Sequence, residues 1–250
     1  MSIMPSTSPK VTSKLAEQVA KHSSHSTPNL CAVTLLGNLV AKPDIRYKTN
    51  PVSAVTEITL ATHAQWLDKK TNTMKEWTSF HHVKVEGDLV DQTLLHANKG
   101  DVLLVHGYLS NKKPQSATNS LHQNNALVHA TFIEKFEKGY TQSINHIHCS
   151  ANIASTPKLL TTENNKNLTQ VIVTINQYVF SHQKQVFQTV SVERPLHLWG
   201  KQAQYLCDNA KVTDKLVIEG RLSYSSDMDK TQFIDGKTIH LIKTKLEHTR

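Results

Sequence analysis

The chain has 250 residues, an apolar fraction of 38% and a formal charge of +8 at neutral pH. That apolar content supports a packed core and argues against wholesale disorder, and no apolar run reaches the roughly 20 residues that a bilayer-spanning helix needs. The basic balance points to a polyanion, either nucleic acid or an anionic surface. The charge is spread, however, at +2 over residues 1–28, +2 over 29–140 and +4 over 141–250, so any anion site has to be assembled by folding.

Taken in chain order, residues 1–28 are rich in Ser, Thr, Lys and His and read as a flexible arm, with one or two helical turns over SKLAEQVAK at 13–21. Strand signals follow near 30–40, 54–65, 78–86, 101–110 and 126–137. Between the third and fourth lies a helical pattern, LVDQTLLHANKG, stopped by Gly100. A second series runs near 146–154, 168–180, 189–199, 214–223 and 238–247, with KQAQYLCDNAK in the helical slot. The stretch SFHHVKVEGDL shows the period of two: His81, Val83 and Val85 share one face, and Phe80, His82, Lys84 and Glu86 share the other.

The two series are copies. GNLVAKP (37–43) matches ANIASTP (151–157) at an offset of 114, VEGDL matches LWGKQ so that Gly87 meets Gly200, and VHGYLS matches IEGRLS so that Gly107 meets Gly220. The same order at a nearly constant offset predicts two tandem domains, 29–140 and 141–250. Five strands with a helix between the third and fourth is the layout of the OB-fold, a Greek-key barrel. The expected fold is therefore all-β, two such barrels in one chain.

The segments LLGNLVAKPDIRY (35–47), ITLATHAQWLDKKTNTMKEWTSFHHV (58–83) and EGDLVDQTLLHANKGDVLLVHGYLS (86–110) resemble the bacterial single-stranded DNA-binding protein family. The second half is similar to it more distantly, through ANIASTP, HLWGKQAQYL and LVIEGRLS. The resemblance implies binding of single-stranded DNA with little sequence preference, bases stacking on aromatic rings while Lys and Arg follow the phosphates. It also implies a homodimer that brings four barrels together.

By that resemblance Trp66 and Phe80 are stacking residues of the first barrel, with Trp77 either stacking or bracing the hairpin. Where the family carries a phenylalanine before the glycine of its LFGK segment, this chain has Glu86, which cannot stack and would repel phosphate. The second half has Trp199 at that place and Glu193 where Phe80 would fall. The two barrels are thus expected to divide the stacking, with Trp199 serving the second beside Tyr178 or Phe180. A dimer interface would explain an outward Trp199 equally well. Candidate phosphate partners are Arg46, Lys48, Lys69, Lys70, Lys75, Lys84, Lys112 and Lys113 in the first half, and Lys158, Lys184, Arg194, Lys201 and Arg221 in the second.

No nucleotide-binding loop, zinc-protease or nucleophile-elbow motif occurs, so a binding protein without cofactor is expected rather than an enzyme. His146, His148 and Cys149 lack the paired spacing of a closed zinc site and read as structural. The three cysteines are widely spaced and offer no disulfide framework, which with the absence of a signal-like N-terminus suggests a cytoplasmic protein and no membrane partner. The sequence ends KTKLEHTR, so the acidic, enzyme-recruiting tail that the resemblance implies is not expected here. That favours a specialised member over a housekeeping hub. The alternative reading is an adaptor or primosome-type protein in which one barrel contacts another protein, motivated by Glu86 and Glu193 on the expected binding faces.

Overall fold

The structure is a computed structural model that describes residues 28–68, 71–112, 125–136, 139, 142–162, 165–181, 185–227 and 230–243. The helical turn expected over 13–21 lies outside them.

In chain order the elements are β1 (Cys31–Leu39), β2 (Arg46–Thr49), β3 (Val52–Asp68), β4 (Thr73–Glu86), α1 (Val90–Leu94), β5 (Val102–Asn111) and β6 (Ala126–Phe136), then β7 (Ile144–Ile153), β8 (Lys158–Thr161), β9 (Asn167–Ser181), β10 (Val186–Trp199), α2 (Lys201–Asn209), β11 (Lys215–Tyr224) and β12 (Gln232–Ile242). In the first half β1 pairs with β3, β3 with β4, β4 in parallel with β6, β6 with β5 and β5 with β1. That ring is closed, and β7, β9, β10, β12 and β11 close a second one in the same order. Closure removes the sheet edges that would otherwise invite strand pairing with other chains. Both barrels are filled by alternating side chains, among them Leu35, Leu60, Val83 and Leu109 in the first and Ile147, Ile175, Leu196 and Leu222 in the second.

The repeated glycines mark where the backbones crowd. At Gly107 and Gly220 the ladders shift register, and a Cβ there would collide with the carbonyl oxygens of His129 and Asp235. Gly87 and Gly200 take φ of 69° and 63° at the turn from strand to helix.

Two expectations shift. The first helix is a single turn of π type, closed by Leu95 N–H donating to Val90 O at 3.1 Å, and does not continue to Gly100. Beyond it the Ala97 N–H donates to Leu94 O at 3.1 Å and the Asn98 N–H to Asp101 Oδ2 at 2.9 Å, turns that lead the chain into β5. The last strand begins at Gln232, not near 238, because closing the barrel requires Leu196 to sit beside Ile234.

The barrels share a seam. β1 runs antiparallel to β7, so all twelve strands form one sheet. Val33 lies opposite Ile147, and these are equivalent residues at the offset of 114, so the ladder is centred on the pseudo-twofold axis relating the copies. Matching clamps flank it: the Asn176 N–H donates to Asn29 Oδ1 and the His63 N–H to Ser143 Oγ, both at 2.8 Å. A buried polar chain also crosses the seam. Thr62 Oγ1 and Tyr224 OH hydrogen-bond the two nitrogens of His81, Gln232 Nε2 donates to Tyr224 OH, and Arg194 Nε donates to Gln232 Oε1. Arg194 Nη2 then reaches back to Ser110 O of the first barrel at 2.7 Å.

Candidate nucleic-acid interface

The two longest hairpins, β3–β4 and β9–β10, carry the aromatic rings. Period-two alternation puts Phe80 opposite in parity to the buried His81, Val83 and Val85, so it faces outward and is 50% exposed. Trp66 (44%) and Trp77 (54%) are exposed too, but on the other face of the ribbon. Trp66 pairs with Lys75 and Trp77 with Ala64, which makes the two tryptophans diagonal neighbours beyond the end of the barrel core. The first hairpin therefore presents aromatic surface on both sides of its stem, with Phe80 separated from the tryptophans by the strand itself.

On β9–β10 all the outward rings share one face. Tyr178, Phe180 and Trp199 stand there, and so does Phe187, which the sequence pattern does not single out. Phe187 stacks on Tyr178 with centroids 5.1 Å apart and meets Phe180 edge-on at 5.2 Å. Trp199 (46% exposed) lies at the opposite end of the same face, above a shallow depression lined by Asn165, Lys166, Asn167 and Lys201. Lys166 is a second residue that sequence reasoning misses; only the fold brings it to Trp199.

The cations are more committed than the sequence suggests. Lys48 Nζ and Lys84 Nζ donate to the same Glu86 oxygen at 2.6 and 2.9 Å, and His129 Nε2 lies 3.7 Å from the other. Burial pushes the Glu86 carboxyl up, but the two lysine hydrogen bonds and charges outweigh it and hold it down at about 2. Glu86 is thus a neutralised anion, and the bare repulsion expected of it is absent. Lys75 pairs with Asp68, Lys112 with Glu57, Arg46 with Asp44 and Arg221 with Asp235. Exposed pairs of this kind are worth little and exchange readily. Lys158 and Lys201 have no carboxylate within ion-pair distance among the described residues. Lys69, Lys70, Lys113 and Lys184 lie outside those residues.

Arg194 requires a correction. It is 4% exposed and spends its guanidinium on Gln232, Glu193 O and Ser110 O, so it cannot meet a phosphate. Its parity is that of Leu196 and Leu198, which is the core side. The signal was in the sequence: an offset of 113 maps Arg194 onto His81, which alternation places with the core valines.

His146 and His148 touch edge to face at 5.2 Å, and His146 Nε2 lies 3.5 Å from Glu219. Among the described residues no cluster of His, Cys, Asp and Glu has the composition to hold a metal ion.

Two closed five-stranded barrels, each with a helix between its third and fourth ring strands, define a tandem OB-fold protein. Residues 30–135 and 144–245 each match the family model described as single-strand binding protein family, and the chain belongs to that family. Among solved structures it is similar to the single-stranded DNA binding protein from Thermus aquaticus. The wild-type structure aligns with a TM-score of 0.70 at 19% identity, covering 87% of this chain and 95% of that one. A deletion mutant of the same protein aligns at 0.72 and 19%, covering 89% and 99%. At that identity the likeness establishes the fold.

Proposed function

We propose that this chain binds single-stranded DNA with little sequence preference, stacking bases on exposed rings and neutralising phosphates with mobile surface lysines. The observation that carries the reading is the placement of the rings. Trp66, Trp77, Phe80 and Trp199 all stand outside the barrel cores, where water would otherwise cover costly apolar surface. Membership of a family of single-strand binding proteins supports the same reading. The binding unit in this proposal is a homodimer with four barrels, acting in replication, recombination or transfer of DNA.

All three tryptophans of the chain are exposed, so intrinsic fluorescence reports on the proposed site directly. Titration with oligo-dT at low salt is expected to quench emission in proportion to occupancy, and affinity should fall steeply with added salt. Absence of quenching and binding at low ionic strength overturns the proposal.

One observation favours the adaptor reading for the second barrel. Tyr178, Phe180 and Phe187 already pack against one another, which suits a ready-made apolar patch for a protein as well as a strand. A partner bound there would survive high salt, whereas DNA would be released.

A further inference from the structure

Cys31 and Cys149 are far apart in sequence, but the seam brings them together. They stand directly opposite each other in the β1–β7 ladder, which has no bulge. One position along, the Ser150 N–H donates to Leu30 O at 2.8 Å, which makes Leu30 and Ser150 a hydrogen-bonded pair. Hydrogen-bonded and non-hydrogen-bonded pairs alternate along an antiparallel ladder. Cys31 and Cys149 are therefore a non-hydrogen-bonded pair, with Cα atoms about 4.5 Å apart and side chains on one face. That separation lies within the roughly 4.4–6.8 Å spanned by disulfides. Both thiols are free, and the Cys149 thiol is close enough to sense the charge of Cys31.

We propose that Cys31 and Cys149 are a dithiol modification site, which a small-molecule disulfide converts into a cross-strand disulfide stapling the two barrels. Cys31 is partly exposed and meets the reagent first, while Cys149 is buried behind it. The Cys31 thiol loses its proton, and the thiolate attacks one sulfur of the reagent, breaking its S–S bond. The expelled thiolate takes up a proton. Cys149 then loses its proton and attacks Cys31 Sγ, releasing the second reagent thiolate, which is protonated in turn. Two protein thiols are oxidised to one disulfide, and one reagent disulfide is reduced to two thiols. Burial pushes the Cys31 thiol up to about 11, against smaller opposing effects from the Leu109 backbone and the Arg194 guanidinium, so the reaction is slow at neutral pH and faster in alkaline solution.

The test is to treat the full chain with oxidised glutathione at mildly alkaline pH and map peptides without reduction. The expected product is a single cross-link joining the Cys31 and Cys149 peptides within one chain, two hydrogen masses lighter than the free dithiol. Its Tm should rise by roughly 5–10 °C and return on reduction with dithiothreitol. Cys31→Ala should abolish the cross-link and the rise, and Cys207→Ala should preserve both. A glutathione adduct on Cys31 with Cys149 left free overturns the proposal, as does a cross-link between chains. The peptide map of the unsubstituted chain separates these outcomes even where a variant folds poorly.

Discussion

Two pairs of equivalent positions distinguish the barrels. Glu86 and Trp199 occupy the same place before the turn glycine, and His81 and Arg194 the same place five residues earlier on the strand. At the first pair the leading barrel has an anion gripped by Lys48 and Lys84, while the trailing barrel has a bare indole beside Lys166 and Lys201. At the second pair both side chains are buried and both reach across the seam. Divergence after duplication was therefore permissive on the outward face and constrained at the join. Outside, an aromatic ring and a carboxylate are both tolerated because each finds water or a counter-ion. Inside, either residue is acceptable only while every hydrogen bond across the seam is completed.

The constraint at the join predicts the largest effect. Arg194→Ala would take the guanidinium donors from Ser110 O and Gln232 Oε1, costing roughly 3 kcal/mol of stability with little change in the salt dependence of DNA binding. Thermal unfolding and an oligo-dT salt titration check both halves. A variant with unchanged Tm but a shallower salt slope would restore Arg194 to the phosphate path.

His81 sharpens the same contrast by pH. Burial, and to a lesser degree the charge of His82, lower its imidazole from 6.5 to about 4. Between those values the unfolded chain takes up a proton that the folded chain refuses. Its contribution is therefore complete above 6.5 and is lost as pH falls towards 4, by roughly 3 kcal/mol in all. Arg194 cannot titrate in that window, so at this pair of equivalent buried positions the acid sensitivity is His81's alone. His81→Gln should flatten the Tm profile between those pH values, and an unchanged profile would refute the assignment.

Next come the rings. Trp66→Ala and Trp199→Ala are each expected to weaken oligo-dT binding by about 1–3 kcal/mol. Equal losses would mean that both barrels stack bases; a loss at Trp66 alone would leave the second barrel to another partner. A smaller effect is expected for Glu86→Gln, which releases Lys48 and Lys84 from their carboxylate. The slope of log affinity against log salt should steepen by about 0.7 for each lysine freed to meet phosphate. An unchanged slope would mean that those ammonium groups do not reach the strand. The smallest effect is expected of Lys201→Ala, which should lower the slope by about 0.7.

Much of the architecture was legible in the sequence, because alternation fixes faces and repeated glycines fix where strands crowd. Phe80, Trp66 and Trp199 could be placed outside their cores from parity and polar flanks alone. What the sequence hid depends on contacts across space. Parity along β4 orders Phe80 and Trp77 correctly, but only the β3–β4 register shows that Trp66 joins Trp77 and not Phe80. Phe187 escapes a sequence reading because its partner Phe180 lies across a hairpin whose register no local pattern sets. The ion pairs of Lys48 and Lys112 were invisible for the same reason, each reaching a carboxylate on another strand, whereas that of Lys84 with Glu86 lies within β4, whose alternation puts both on one face.

The β1–β7 ladder gives the molecule a fixed gauge. Because the joined strands hold both barrels in one sheet, the two ring-bearing hairpins proposed to bind DNA are offered at one fixed separation. A strand long enough to bridge that gap gains avidity from a high effective concentration, and one too short gains none at any dose. Affinity plotted against oligonucleotide length should therefore climb in a step whose position measures the gauge.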